Sequence, residues 1–179
     1  SLRRAGYRCI VLDSERGEHH DSSCSVVRRM FMGWVSGGCI RGVWASPSGA
    51  SWSRARQPPI RSSQHILGLQ QMSSSDQQPV AHANHAMDQV AAVVGLAARL
   101  HIPCVFEHTA SSWIWQAPPI YIMPAIAGHT AQVVHQCRFG VRWKKPTKIW
   151  GWHVCLDTAV RRCTGKHGRC SHSRRQHIG

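Results

Sequence analysis

An amphipathic helix that runs directly into a short apolar strand is the feature that most constrains the fold. The apolar positions of the helix, spaced by three and four residues along one face, are Met87, Val90, Val94 and Ala97. They predict a helix from Asn84 to Leu100, with Asn84 as its N-cap, followed by a strand from Ile102 to Phe106. Such units build α/β folds, in which ligands bind at the carboxyl ends of the strands.

The rest of the chain fits the same fold class. Further strands are predicted at 7–12, 39–45, 131–137 and 147–154, and further helices at 24–36 and 119–127. Residues 57–80, rich in Pro, Ser and Gln, are predicted to form a loop or an insertion. We therefore expect an α/β domain over residues 1–156 with an incomplete, mostly parallel, Rossmann-like sheet, and an irregular basic tail over residues 157–179. The strands that end at Asp13, Ala45 and Phe106 should be neighbours with their carboxyl ends on one rim.

Cysteine content and hydropathy indicate the compartment. The eight cysteines are irregularly spaced and several lie inside apolar runs, which is typical of buried thiols in a reducing environment. No window approaches the run of about 18 apolar residues that crosses a bilayer, and the first residues lack a signal-peptide pattern. These features predict a soluble intracellular protein without membrane contact, and the nucleus is one candidate location.

Charge indicates the partner. Lys and Arg total 22 against 8 Asp and Glu, a formal net charge of +14, and such a field attracts polyanions such as DNA. Eleven of these basic residues lie between Arg138 and Arg175, opposed only by Asp157 and interleaved with three tryptophans, which suits phosphate contact combined with base stacking. A solvated basic tail without a specific partner is the alternative. The candidate nucleic-acid contacts in this segment are Arg138, Arg142, Trp143, Lys144, Lys145 and Lys148.

Four short segments occur in an order that resembles a known family. The acidic pair Asp13 and Asp21 follows the first predicted strand, and residues 46–56 combine a Ser-Pro-Ser-Gly turn with a Ser-Arg-Ala-Arg segment. Glu107 ends the strand after the long helix, and residues 139–151 contain Phe-Gly-Val followed by a basic run. In this order the segments resemble the catalytic half of the DNA cytosine-5 methyltransferases, especially the compact phage-like and multi-copy protist versions associated with mobile elements.

The resemblance implies a role for each segment. Asp13 and Asp21 would stand where the family holds the ribose and adenine of S-adenosylmethionine, and an ordinary polar loop is the alternative. Ser48 stands at the place of the nucleophilic cysteine. Glu107 stands at the place of the glutamate that contacts the extruded cytosine and stabilises its charge. Arg54 and Arg56 fall in the segment that resembles the family's Ser-Arg-Ala-Arg-like sequence, and they are further candidate nucleic-acid contacts.

Residues that the family's chemistry needs are missing. A serine hydroxyl without an activating base cannot replace the thiolate that adds to cytosine, and no Gly-x-Gly-x-x-Gly cofactor loop occurs. His108 and Thr109 replace the Asn-Pro that follows the glutamate, and the first strand of the family's sheet is expected to be absent. We therefore expect a degenerate, catalytically impaired protein that binds S-adenosylmethionine negligibly and retains affinity for DNA. A non-catalytic nucleic-acid-binding module using residues 138–175 and a decayed copy without function are the alternatives.

The tail also carries candidate metal ligands, and it resembles the Cys- and His-containing tail of the multi-copy protist versions of that family. The three principal candidates are Cys163, Cys170 and His177. A tetrahedral zinc site needs a fourth ligand, which the sequence leaves open among Cys137, Cys155 and His172. The spacing is that of no standard zinc finger, and a basic tail that merely contains Cys and His is the alternative.

Overall fold

The fold is a mixed α/β one with an open sheet. The computed structural model describes residues 6–13, 16–17, 20–21 and 24–178. Its helices are α1 (Ser25–Ser36), α2 (Ser74–Arg99) and α3 (Pro118–Tyr121). Its strands are β1 (Val43–Ala45), β2 (Cys104–Thr109), β3 (His129–His135) and β4 (Pro146–Trp152). Within the described ranges, no helix combines the length and the apolar character that crossing a membrane requires.

The sheet order is β1-β2-β4-β3, and only the first pair is parallel. α2 connects β1 to β2, as expected for a parallel crossover. β4 lies between β2 and β3 and is antiparallel to both. The predicted mostly parallel sheet is therefore wrong, and a Rossmann-like arrangement is not confirmed. The physical reason is the short connection between β3 and β4, residues 136–145, because a parallel crossover needs a dozen or more residues.

Most predicted elements are present with shifted ends. The helix predicted at 24–36 is α1, and the strand predicted at 39–45 is reduced to the three residues of β1. The strands predicted from 102, 131 and 147 are β2, β3 and β4. The helix predicted at 119–127 is divided into α3 and a 3₁₀ turn. The strands ending at Ala45 and beyond Phe106 are parallel neighbours, as predicted.

Two predictions before β2 are wrong. Residues 7–12 form no strand; they lie across an apolar cavity of about 500 Å³ from β1, α1 and α2. α2 begins at Ser74, inside the stretch predicted to be a loop, and includes Pro79. The ring nitrogen of Pro79 leaves the carbonyl of Ser75 without its helical donor, but Ser75 is exposed and water can satisfy that carbonyl.

A buried arginine fixes the loop that precedes α2. Arg61 is 2% exposed and donates hydrogen bonds of 2.6–3.1 Å to the carbonyl and hydroxyl of Ser51, the carbonyl of Ile66 and the amide oxygen of Asn84. Its guanidinium carbon lies 3.6 Å from the ring centroid of Trp52. Burial lowers the pKa of Arg61 to about 10, so the side chain is still charged at neutral pH. Asn84 therefore anchors this loop from within α2, and its predicted role as an N-cap is wrong.

The main core lies between the helices and one face of the sheet. Val94 of α2, Phe106 of β2 and Trp152 of β4 are fully buried in it. A smaller cluster on the other face includes Val105 of β2 and Leu156. Because side chains alternate along a strand, β2 turns even-numbered residues to the main core and odd-numbered residues to the smaller cluster.

Candidate metal centre and the basic surface around it

Four ligand side chains converge at the end of the sheet where β3 stops. The ligand atoms of Cys137, Cys163, Cys170 and His177 all lie within 4.8 Å of one another. Sγ of Cys163 is 4.0 Å from Sγ of Cys170 and 3.9 Å from Nε2 of His177. A tetrahedron with zinc–sulfur bonds of about 2.3 Å has sulfur atoms about 3.8 Å apart. The cluster therefore has the ligand number and spacing of a closed four-coordinate metal site.

The structure groups the three ligands predicted from the tail and identifies the fourth. That residue is Cys137, and with Cys163 and Cys170 it forms a separate buried cluster. The other two candidates for the fourth position, Cys155 and His172, are exposed and do not belong to the group. The prediction is confirmed to the extent that these residues form a cluster that could hold a metal ion.

Local backbone geometry explains why these residues meet. Cys137 lies in the 3₁₀ turn Gln136–Phe139 directly after β3, and Gly140 ends the turn with a positive φ of 99°. The loop between Cys163 and Cys170 folds so tightly that a Cβ on Gly165 would lie 1.8 Å from the carbonyl oxygen of Arg169. Only glycine allows this approach, and the approach brings the two thiols together.

Hydrogen bonds to sulfur support the ligand set. The N–H and hydroxyl of Ser171 donate to Sγ of Cys163 at 3.3 and 3.5 Å, and the N–H of His172 donates to Sγ of Cys170 at 3.5 Å. Such donors stabilise thiolates and orient them for a metal.

The thiols differ in how readily they ionise. Burial opposes ionisation of Cys163, but hydrogen bonds from Ser171, Gly165 and Cys137 together lower the pKa of Cys163 to about 7. The N–H groups of Ser173 and His172 lower the pKa of Cys170 to about 5. Burial and the neighbouring thiols raise the pKa of Cys137 to about 12, and a bound cation would reverse this effect by stabilising its thiolate.

Backbone hydrogen bonds beside the cluster join the tail to β3 and to the segment before β4. The N–H of Ile178 donates to the carbonyl of Arg142 at 3.3 Å, and the N–H of His135 donates to the carbonyl of Arg161 at 3.0 Å. Burial lowers the pKa of His135, and the charges of Lys144 and Arg162 lower it further. Lys144 precedes β4 and Arg162 follows it, so cationic groups from both segments converge near His135.

The predicted nucleic-acid contacts of this segment are not equally available. Arg142 and Lys145 are exposed, whereas Arg138 is half-buried and its Nε has no hydrogen-bond partner among the described residues. Lys148 lies on β4, where its Nζ is 4.7 and 4.8 Å from the ring centroids of Trp115 and Trp150, and burial lowers its pKa. Lys148 is therefore engaged in cation–π contacts inside the protein.

Arg54 and Arg56 lie outside this surface. The guanidinium carbon of Arg54 is 4.0 Å from the ring centroid of Trp113. Arg56 forms an ion pair with Asp76 in the first turn of α2. Both arginines thus have partners within the chain, at the loop that precedes α2.

Ser48 and Glu107 are placed on different sides of the sheet. Ser48 is exposed in the loop after β1. This loop lies beside His108, because a Cβ built on the neighbouring Gly49 would be 3.5 Å from Cε1 of His108. His108 faces the main core from β2, so Glu107 projects from the other face. The structure therefore does not bring the two residues that resemble the family's catalytic pair to a common pocket.

His108 was not singled out as a site residue from the sequence. It is 5% exposed and lies edge-on to Trp115, with ring centroids 6.5 Å apart. Burial lowers its pKa to about 4; the nearby carbonyl of Ser48 opposes this shift, and the charge of Lys145 adds to it. The ring is therefore neutral at pH 7, and among the residues that the structure describes neither ring nitrogen has a partner at hydrogen-bonding geometry. Its position two residues after Phe106, on the core face of a strand, was the signal available in the sequence.

Asp13 and Asp21 make contacts within the chain. The carbonyl of Asp13 accepts a hydrogen bond of 2.9 Å from the N–H of Arg16. The carboxylate of Asp21 lies 3.1 Å from Nε2 of His82 on α2. These contacts, within the part of the chain that is described, do not support a binding site for S-adenosylmethionine.

No protein-family model matches the chain, and comparison with curated proteins and with solved structures finds no significant similarity. The resemblance to cytosine-5 methyltransferases therefore stays a prediction from sequence motifs. Function is argued below from the metal-ligand cluster and from the charges around it.

Proposed function

We propose that the chain is a non-catalytic nucleic-acid-binding module whose basic surface is held together by zinc. The observation that carries the proposal is that one buried cluster joins Cys137 to the tail ligands Cys163, Cys170 and His177. Through this cluster the basic residues of the tail are fixed beside those of the segment before β4. A tail that is fixed to the domain in this way presents a defined basic surface, whereas a solvated run of charged residues does not.

Zinc is the metal that best fits the donor set. Thiolates with one imidazole are soft and borderline ligands, and four of them in a closed tetrahedron are typical of structural zinc sites. The thiols are 1–4% exposed, so no position is left open for a substrate, which argues for a structural role. The N–H and hydroxyl donors to Cys163 and Cys170 add the outer hydrogen bonds that such sites use.

Nucleic acid is the polyanion that best fits the charge. The segment from Arg138 to Arg175 contains eleven basic residues and a single acidic one. Lys144 and Arg162 converge from its two parts, and exposed Arg142 and Lys145 extend the positive surface. Neutralising phosphates with such groups releases counterions, so binding by this surface depends steeply on salt.

Metal binding is tested by titrating the chain with cobalt(II) and then displacing the cobalt with zinc. We expect one equivalent per chain with the absorption of a tetrahedral cobalt–thiolate centre. Cys137→Ser and Cys163→Ser should remove this spectrum, whereas the matched controls Cys155→Ser and His172→Ala should keep it, because these residues lie outside the cluster. A spectrum that survives Cys137→Ser, or that is lost with Cys155→Ser, would show that the ligand set is wrong.

Nucleic-acid binding is tested by fluorescence anisotropy of a labelled oligonucleotide over a salt series. The double variant Lys144→Gln with Arg162→Gln should weaken binding to all sequences alike and flatten the salt dependence by roughly one unit of slope per lost phosphate contact. Arg28→Gln with Arg29→Gln, on the exposed side of α1, removes the same charge at a distance. Equal losses from the two double variants would reject a localised surface.

A further inference from the structure

We infer that this surface takes unpaired rather than duplex nucleic acid, with Trp143 as the ring on which a base stacks. The inference rests on the proposed nucleic-acid function and adds to it the class of strand that is bound. It starts from an unusual combination at the surface: a large aromatic side chain that is both exposed and held in place.

Trp143 is 44% exposed, yet a chain of hydrogen bonds fixes its orientation. Its indole N–H donates to Oε1 of Gln136 at 3.1 Å, and Nε2 of Gln136 donates to Oγ1 of Thr147 at 3.2 Å. Thr147 lies on β4 and is 3% exposed, so this series of hydrogen bonds connects the Trp143 ring to the sheet. A ring that is already oriented loses little conformational freedom when a ligand packs on it.

The polar edge of this indole is satisfied within the protein. What it offers to a partner is therefore apolar ring surface, which suits the face of a nucleobase. A duplex keeps the faces of its bases stacked on one another, whereas an unpaired strand leaves them free to pack on a protein.

A second aromatic side chain lies four residues before Trp143. Phe139 is 52% exposed, and the guanidinium carbon of Arg161 lies 5.4 Å from its ring centroid. Exposed rings thus alternate with cationic residues along the chain from residue 138 to residue 145. Aromatic rings spaced among phosphate-binding cations are the arrangement by which proteins hold single strands without reading their sequence.

The test compares four probes on the zinc-loaded full chain by fluorescence anisotropy. These are single strands of about 12 thymidines, of about 12 uridines, of about 12 abasic sites, and a hairpin duplex with a similar number of phosphates. The thymidine and uridine strands should bind more tightly than the duplex and the abasic strand. Binding of only one of the two base-containing strands also supports the inference.

Trp143→Leu provides the decisive variant. It should weaken binding of the base-containing strands roughly 5- to 150-fold, the loss of one stacked base, and leave the abasic strand and the duplex unchanged. Trp143→Phe should retain most of the affinity because it keeps a ring. Trp44→Leu is the matched control, because Trp44 is 58% exposed and lies on β1, at the opposite edge of the sheet from β3. Unchanged zinc stoichiometry and circular dichroism show that each variant is folded.

Two results would overturn the inference and leave the proposed function standing. One is a duplex that binds at least as tightly as the single strands. The other is a Trp143→Leu variant that loses affinity equally for the abasic and the base-containing strands. If none of the four probes binds, the proposed nucleic-acid function fails, and the inference fails with it.

Discussion

Stability should fall at mildly acidic pH because the imidazole of His108 is buried. The perturbation is protonation of this ring, and the reference protein is His108→Leu, which cannot be protonated there. In the folded chain burial lowers the pKa of His108 from its usual 6.5 to about 4, and the charge of Lys145 contributes to the shift. The unfolded chain has no such environment, so its histidine should titrate near 6.5.

The sign and size follow from linkage between proton binding and folding. As the pH falls below 6.5 the unfolded state takes up the proton first, so the free energy of unfolding decreases. The stability is complete above pH 6.5 and is lost progressively between 6.5 and about 4. Each pKa unit corresponds to about 1.4 kcal/mol, so the complete loss is about 3 kcal/mol. That is a large share of the about 5–15 kcal/mol that stabilises a typical domain.

Urea unfolding of the native protein and of His108→Leu across this pH interval measures the effect. The difference between their free energies of unfolding should change by about 3 kcal/mol between pH 6.5 and 4 and should be constant above that interval. His129 and His135, whose pKa values burial also lowers, are present in both proteins and cancel in the difference, as does the metal-ligand cluster. Parallel pH profiles, or an imidazole NMR signal of His108 that titrates near 6.5, would refute this account of the buried ring.

Three further predictions concern the loops and the tail. Gly165→Ala should abolish metal binding in the cobalt titration because its Cβ has no room. Gly33→Ala on α1 should bind metal normally, because beyond the adjacent helix backbone its Cβ would meet no described atom within 4 Å. Arg61→Met should cost about 2–4 kcal/mol in chemical unfolding because it leaves buried acceptors unsatisfied, whereas the exposed Arg29→Met should cost almost nothing. Removing the metal with a chelator should expose residues 157–178 to trypsin while the sheet stays protected; equal cleavage with and without chelator would contradict the proposed role of the ion.

Strand positions were more predictable from the sequence than strand directions. Apolar runs identify β2, β3 and β4 within a few residues, because periodicity reports burial. Periodicity contains no information about which neighbour a strand pairs with. The length of the connection does, and the stretch between β3 and β4 is too short for a parallel crossover. The error in the sheet therefore came from extending the β1–α2–β2 unit to the whole chain.

The ligand cluster was partly predictable for a similar reason. Cys163, Cys170 and His177 are close in sequence, so their residue types suggested a site although their spacing matches no standard zinc finger. Cys137 is separated from them by the whole of β4, and only the antiparallel return of that strand brings it to the same end of the sheet. Asn84 is a case in which local sequence gave a wrong prediction. The sequence favoured an N-cap, but in the fold the Asn84 amide binds the loop before α2.

With an ion bound, the cluster would also change how the chain transmits force. A pull on residue 178 would pass through His177 and the metal directly to Cys137 at the end of β3. The intervening residues, including β4, would be shielded from the load until a metal–ligand bond broke. Only loss of the ion from all four ligands would then release residues 138–176, roughly 140 Å of extended chain. In a single-molecule extension trace this increase in length should be absent when chelator is present. The bound ion would therefore set the order in which the parts of the sheet unfold under force.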